Sequence, residues 1–228
     1  MSTQVQLGEC LGQNEAALFV AETAHDLQAP LSVVHGFIAT LLERWGELTD
    51  EMKLDMLQRA DEQTMRASRL ASDLLDLSRL DAGHLPVHVR TTRVRPLLET
   101  CVDAVGPQAI DIRVSCPQRL RARADAAHLE RILINLLGNA LSHGAPPITI
   151  EATRHDHRVE IVVCDAGPGV VPRDRGRLFD RFSRDETVPG AGLGLAIVRE
   201  LAEAQGGAVW YEPACPGSRF GVHLPLAG

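Results

Sequence analysis

The sequence predicts a chain in two parts: an antiparallel helical hairpin that pairs with a second copy into a dimeric four-helix bundle, followed by an α/β sandwich. Three observations predict it. Up to about residue 83, apolar residues recur at spacings of three and four; beyond it, short alternating runs are separated by helical segments; and Gly83 and Pro86 interrupt both periods where one gives way to the other. The parts are therefore residues 1–83 and 84–228.

The first helix is read from about residue 14 to residue 44, with a stripe of Val20, Ala24, Leu27, Leu31, Val34, Ile38, Leu41 and Trp45. After "GELTDE", in which Thr49 or Asp50 can cap a new helix, Met52, Met56, Arg59, Gln63, Arg66, Leu70, Leu74, Leu77 and Leu80 form a second, more polar pattern that "DAGH" stops. Neither helix has enough partners within one chain to cover its stripe, so a homodimer is expected. Past Gly83 the strand-like runs are "PVHVRTTRV", "IDIRVS", "PITIEATR", "RVEIVVCD" and "AVWYEP", and helices are expected near Arg95 to Val105, Ala126 to Leu141 and Leu193 to Gln205.

Composition narrows the function classes. The formal charge is −7 and the pI about 5.7, which argues against a nucleic-acid or anionic-membrane surface. Five scattered cysteines without a C-x-x-C pair indicate neither a disulfide framework nor a zinc cage, and a reducing cytosol fits best. No window approaches the roughly 20 apolar residues of a membrane span, and "MSTQVQLGEC" lacks the features of a signal peptide, so a cytoplasmic location is expected. The only lysine is Lys53, preceded by Met52. A Walker A loop needs Gly-Lys and a protein-kinase site needs a strand lysine, so any nucleotide here is held differently.

Several stretches carry chemistry. In "TAHDLQAPLSVVHGF", His25 points away from the stripe centred on Leu27, Leu31 and Ile38, among small neighbours. A neutral imidazole is a competent nucleophile near pH 7, and the adjacent Asp26 can orient it or accept its proton. Pro30 removes one helix hydrogen bond and should bend the helix there. His35 lies nearer the stripe and reads as a packing residue. In "LERILINLLGNALSHG", Asn135 and Asn139 share one helix face, and their carboxamides either coordinate Mg²⁺ through oxygen or decorate the helix. His143 either stacks near a nucleotide or ends that helix.

"VEIVVCDAGPGV" carries a strand into Asp165, Gly167 and Gly169; a carboxylate there can accept a hydrogen bond from the exocyclic amine of adenine. A basic stretch around "LFDRF" contains Arg173, Arg175, Arg177, Arg181 and Arg184, and "GAGLGLAIVREL" places Gly190, Gly192 and Gly194 before a helix whose free amides can meet phosphates. His155 and His157 in "RHDHR" read as polar turn residues of a hairpin rather than as a metal site.

In this order the motifs resemble those of the catalytic core of a two-component sensor histidine kinase, from about Phe19 to Pro225. "FVAETAHDLQAPL" resembles the H-box, "NLLGNALSH" the N-box, "DAGPG" the G1 box, "LFDRF" the F-box and "GAGLGL" the G2 box; "GGAVWYEPACPGSRFGVHLP" resembles the closing strands of a Bergerat-type ATP-binding domain. The resemblance implies an ATP- and Mg²⁺-dependent kinase with His25 as phosphoacceptor and Asp26 as the assisting acid. It implies Asn139 as Mg²⁺ ligand, Asn135 as a supporting polar group and Asp165 as the adenine contact. Gly167 and Gly169 would shape the G1 turn, and Gly190, Gly192, Leu193 and Gly194 would line the phosphate side. Phe179 and Phe182 would anchor the lid, and Arg181 or Arg184 would neutralise charge during transfer. The implied partners are a second copy and a response-regulator receiver domain, whose aspartate takes the phosphoryl group.

The chain departs from the family pattern in three places. Asp26 stands where glutamate is usual. Ala29 stands where a threonine or asparagine positions water for dephosphorylating the regulator, so weak or absent phosphatase activity is expected. Ser142 stands where a basic residue reaches the phosphates. Fewer than about 20 residues precede the H-box helix, too few for a sensor domain. The chain is then either the core of a longer protein or takes its signal from a separate sensor protein. The rival readings are a related ATPase or serine kinase acting on a protein partner, and a dimeric scaffold that transfers little.

Overall fold

The computed structural model describes residue 24 and residues 26–81, 85–105, 112–181 and 192–227. The chain divides into two compact units, the first ending at Ser78 and the second beginning at Arg79.

In the helical unit, α1 covers residues 26–44 without a break at Pro30, and α2 covers Asp50–Asp81. The turn between them is capped locally: the Met52 amide donates to Thr49 Oγ1 at 3.2 Å, and Lys53 pairs with Asp50 at 2.9 Å and lies 4.7 Å from the centre of the Trp45 ring.

The buried stripe has a different phase from the one expected. On α1 one line of sheltered positions is Leu27, Pro30, Val34, Phe37 and Leu41, with Asp26, Ala39 and Thr40 half-buried beside it, while Leu31 and Ile38, and Trp45 just past the helix end, are exposed. On α2 the matching line is Lys53, Met56, Ala60, Gln63, Ala67, Leu70, Leu74 and Leu77, with Arg66, Ser72 and Asp73 half-buried beside it. Both sets step by three and four in strict alternation, the 3.5-residue repeat of packed helix pairs. Arg59 is therefore exposed and Ala60 takes the inner place; Ala67 does the same beside the half-buried Arg66. The small side chains allow close approach of the helix backbones but add little to a hydrophobic pattern. His35 is exposed, so its expected packing role is not observed.

The second unit opens with β1 (Arg90–Arg93) and α3 (Val94–Ala104), continues through β2 (Ile112–Ser115), β3 (Arg121–Ala124), α4 (Ala126–His143), β4 (Ile148–His155) and β5 (Arg158–Asp165), and closes with α5 (Gly194–Glu203), β6 (Ala208–Pro213) and β7 (Ser218–Pro225). Strands β1 and β3 form an antiparallel pair; the main sheet has the order β2-β4-β5-β7-β6, parallel only between β2 and β4. The β4–β5 hairpin closes through His155↔Arg158, so Asp156 (φ 44°) and His157 are its two turn residues.

Why the helices pack as they do follows from their apolar faces. Leu129, Ile132, Leu133, Leu136 and Leu137 of α4, Ile197 and Leu201 of α5, and Leu98 of α3 are fully buried, as are Ile150, Ile161, Val163 and Val222 of the sheet. Each large aliphatic side chain so buried contributes about 1.5–3 kcal/mol. The other sheet face shields itself: Trp210 lies flat over Gly221, where a Cβ would collide with the indole, and the neighbouring Val162 is only 3% exposed. Around it His223 Nε2 lies 2.6 Å from Glu160 and the Arg219 guanidinium sits 5.6 Å over the indole.

Candidate functional site

Three chain segments converge within the second unit: the C-terminal half of α4, the end of β5 and the start of α5. Helix α4 starts where Asp125 caps it, accepting from the amides of Ala127 and His128, and six apolar side chains hold its opposite face in the core. That arrangement turns Asn135 and Asn139 to a half-buried face. Asn135 donates from Nδ2 to the carbonyl of Gly194, the first residue of α5, at 3.3 Å. Among the described residues no partner takes up the Asn139 carboxamide, which leaves its oxygen free for a hard divalent cation. Ser142 and His143 are exposed on the last turn, and α4 ends at His143.

Asp165 closes β5 and is 7% exposed. One oxygen accepts from the Gly167 amide at 2.8 Å. Burial pushes its carboxyl above the usual range, against the opposing pull of that amide. The backbone crowds it closely: a Cβ on Gly144 would lie 2.6 Å from the Asp165 Cβ, and one on Gly167 2.6 Å from the Gly144 Cα. Gly169 at φ 74° then turns the chain away. The sequence pattern does not single out Gly144, whose only signal is its place after His143 at the end of the expected helix.

At α5 the N-cap position is Leu193, which supplies no side-chain acceptor, and among the described residues no side chain caps the first-turn amides, which can meet an anion. Gly192 has φ 64°, Leu193 is buried at 1% exposure, and Gly194 approaches Asn135 with a Cβ position 3.9 Å from its Cγ.

Phe179 meets Phe220 of β7 edge-on at 6.5 Å, and Phe220 stacks on Tyr211 at 5.0 Å. Two ion pairs fasten the next residues to α5: Arg181 donates to Glu200 at 2.6 and 3.1 Å, and Arg199 to Asp180 at 3.1 Å. The Arg181 guanidinium is thus committed to α5 in this structure. His25, Phe182, Arg184 and Gly190 lie outside the described residues; next to His25, Ala24 is exposed and Asp26 half-buried. No helix among the described residues is long and apolar enough to cross a membrane.

Comparison with known proteins agrees with this arrangement. Residues 15–83 match the family model described as the His Kinase A (phospho-acceptor) domain, and residues 124–228 the one described as the histidine kinase-, DNA gyrase B- and HSP90-like ATPase. The chain is 32% identical over 237 residues to the signal transduction histidine-protein kinase AfsQ2 of Streptomyces coelicolor, an alignment covering 96% of this chain and 44% of that protein. Among solved structures, full-length ShkA in complex with AMPPNP is 29% identical with a TM-score of 0.61, covering 88% of this chain and 46% of that one. The histidine kinase AdeS of Acinetobacter baumannii, 20% identical, shares the fold with a TM-score of 0.70 over 90% of this chain and 98% of that one. The chain spans less than half the length of the curated relatives AfsQ2 and TcrY.

Proposed function

The chain belongs to the two-component sensor histidine kinases, whose catalytic core it carries, and from that premise we propose that it transfers the γ-phosphoryl group of ATP to His25 and then to a receiver-domain aspartate. The observation that carries this reading is the convergence of Asn139, Asp165 and the uncapped start of α5 in one unit. Asp165 recognises the adenine amine through its second oxygen, while the Gly167 amide holds the first. The first-turn amides of α5 receive phosphate oxygens. Asn139 holds Mg²⁺, which when bound neutralises phosphate charge.

The imidazole of His25 attacks the γ-phosphorus in line with the departing β-phosphate oxygen, so a P–N bond forms as a P–O bond breaks and ADP leaves. Asp26 orients the ring and takes up its proton. The carboxylate of the regulator's aspartate then displaces the imidazole from phosphorus. Residues 1–83 are the dimerisation and phosphotransfer part and residues 84–228 the ATP-binding part.

The exposed Leu31, Ile38 and Leu42 on α1 and Trp45 just after it support pairing of two copies, because a lone hairpin leaves them in water. Ala29 is exposed on the turn after His25 and offers no group to position water, which supports weak phosphatase activity toward the regulator. A cytoplasmic site of action follows from the ATP requirement. Incubation with γ-labelled ATP and Mg²⁺ tests the proposal: label appears on the unaltered chain and is lost in Asn139→Ala. Nucleotide binding without any label favours a scaffold instead.

A further inference from the structure

Helices α4 and α5 are pinned to each other at two levels. At one, the Asp125 amide donates to Gln205 Oε1 at 2.7 Å; at the other, Asn135 donates to the Gly194 carbonyl at 3.3 Å. The start of α4 therefore meets the end of α5, and the helices run antiparallel. From Asp125 to Asn135 is ten residues and from Gly194 to Gln205 eleven, so each rail is about 15 Å long at 1.5 Å per residue.

The lower pin is buried and fully bonded. Asp125 is 7% exposed and Gln205 4%, and Gln205 Nε2 donates to the Leu201 carbonyl at 2.7 Å, which fixes the orientation of its amide. Asp125 divides its two oxygens between two tasks. Oδ1 caps α4, taking the Ala127 and His128 amides at 3.0 and 3.3 Å; Oδ2 takes the amide of His88 at 2.8 Å. His88 belongs to the stretch 85–89, outside any helix or strand, that follows the helical part in sequence and leads into β1.

We propose that Asp125 and Gln205 are positioning residues for the nucleotide site, setting the register of α4 against α5, and that the His88 amide on Asp125 ties the stretch 85–89 to that register. The inference rests on the nucleotide-binding reading and deepens it. A shift of the lower pin moves both rails, and with them Asn135, Asn139 and the α5 amides. Coupling of this kind is reciprocal, so nucleotide bound at the upper end stabilises the His88 bond at the lower.

Asp125→Asn separates the two tasks. Asparagine caps a helix as well as aspartate does, but its amide nitrogen would face the His88 N–H, donor against donor. Gln205→Ala leaves the cap and the His88 bond intact and removes the acceptor for the Asp125 amide. In the unaltered chain, Mg²⁺ and AMPPNP should slow hydrogen–deuterium exchange of residues 85–89; in Asp125→Asn exchange there should be fast and insensitive to the analogue. The KM for ATP in autophosphorylation should rise in both variants by about fivefold, the low end of a typical coupling between sites, with kcat within about twofold.

Unchanged KM together with an unchanged nucleotide effect on exchange overturns the inference. So does a fall in kcat or in the folded fraction at unchanged KM, which marks a structural cap alone. If the unaltered chain binds no AMPPNP, the nucleotide reading fails first and this inference with it.

Discussion

The two halves of the chain solve burial in opposite ways. Residues 1–83 hold 14 acidic and 6 basic side chains, a net −8, whereas residues 84–228 hold 16 and 17, a net +1. The helices leave Leu42 79% exposed and Ile38 46%, while in the α/β half Leu133, Ile161 and Val222 are at 0%. One half closes its core by itself; the other carries a seam for its own hairpin and a second apolar face that a single copy leaves in water. The closed half can hold its own shape from its own core, whereas the acidic half leaves an apolar face that a second copy would cover.

The largest expected effect lies in the closed core. Leu133→Ala should cost about 2–5 kcal/mol in urea unfolding of the α/β half, the usual price of a large buried side chain truncated to alanine. A loss below about 1 kcal/mol would break the contrast, since exposed sites fall in that range. Next comes the open face: Ile38→Glu should raise the dimer dissociation constant at least about tenfold, or 1.4 kcal/mol, in sedimentation equilibrium, with nucleotide binding retained. An unaltered dimer would place the pairing face elsewhere.

A smaller change sharpens the division between stability and function inside the α/β half. Burial raises the Asp165 carboxyl, so its charged form opposes folding: its contribution is present at low pH and is lost as pH rises through the raised folded value. Asp165→Asn should therefore raise the Tm at neutral pH by a few degrees, about 2–4 °C per kcal/mol at this size, while weakening ATP binding, read by fluorescent-nucleotide titration. Asp125 has the opposite sign. Although its own burial pushes its carboxyl up, the amides of His88, His128 and Ala127 hold it below the ordinary range, so its stabilisation is present at neutral pH and is lost on acidification below about pH 4. Asp125→Ser should therefore be less stable than the unaltered chain at neutral pH in urea unfolding, and the difference should shrink as the pH falls below about 4.

Strong periodic signals were legible from the residues alone, and quiet ones were not. The expected α4, from Ala126 to Leu141, is found as Ala126–His143, because its leucines and isoleucines mark one face. The expected phase of α2 runs through Arg59 and Arg66, whereas the seam takes Ala60 and Ala67, whose small side chains add little to an apolar pattern. Strand β3, "RARA", escaped notice for a related reason: Ala122 and Ala124 are fully buried but weakly apolar. In the candidate site the glycines and asparagines were visible as motifs. The Gly144 contact with Asp165 and the Asp125–Gln205 bond were not, because each joins residues far apart in sequence through backbone atoms that any residue carries.

The central claim is that His25 receives the phosphoryl group. The most direct measurement is the acid and alkali stability of label transferred from γ-labelled ATP, in the unaltered chain and in His25→Gln. The account predicts acid-labile, alkali-stable label that disappears in the variant, as a phosphoramidate on imidazole requires. Acid-stable label, or label persisting in His25→Gln, would contradict it and point to a hydroxyl acceptor.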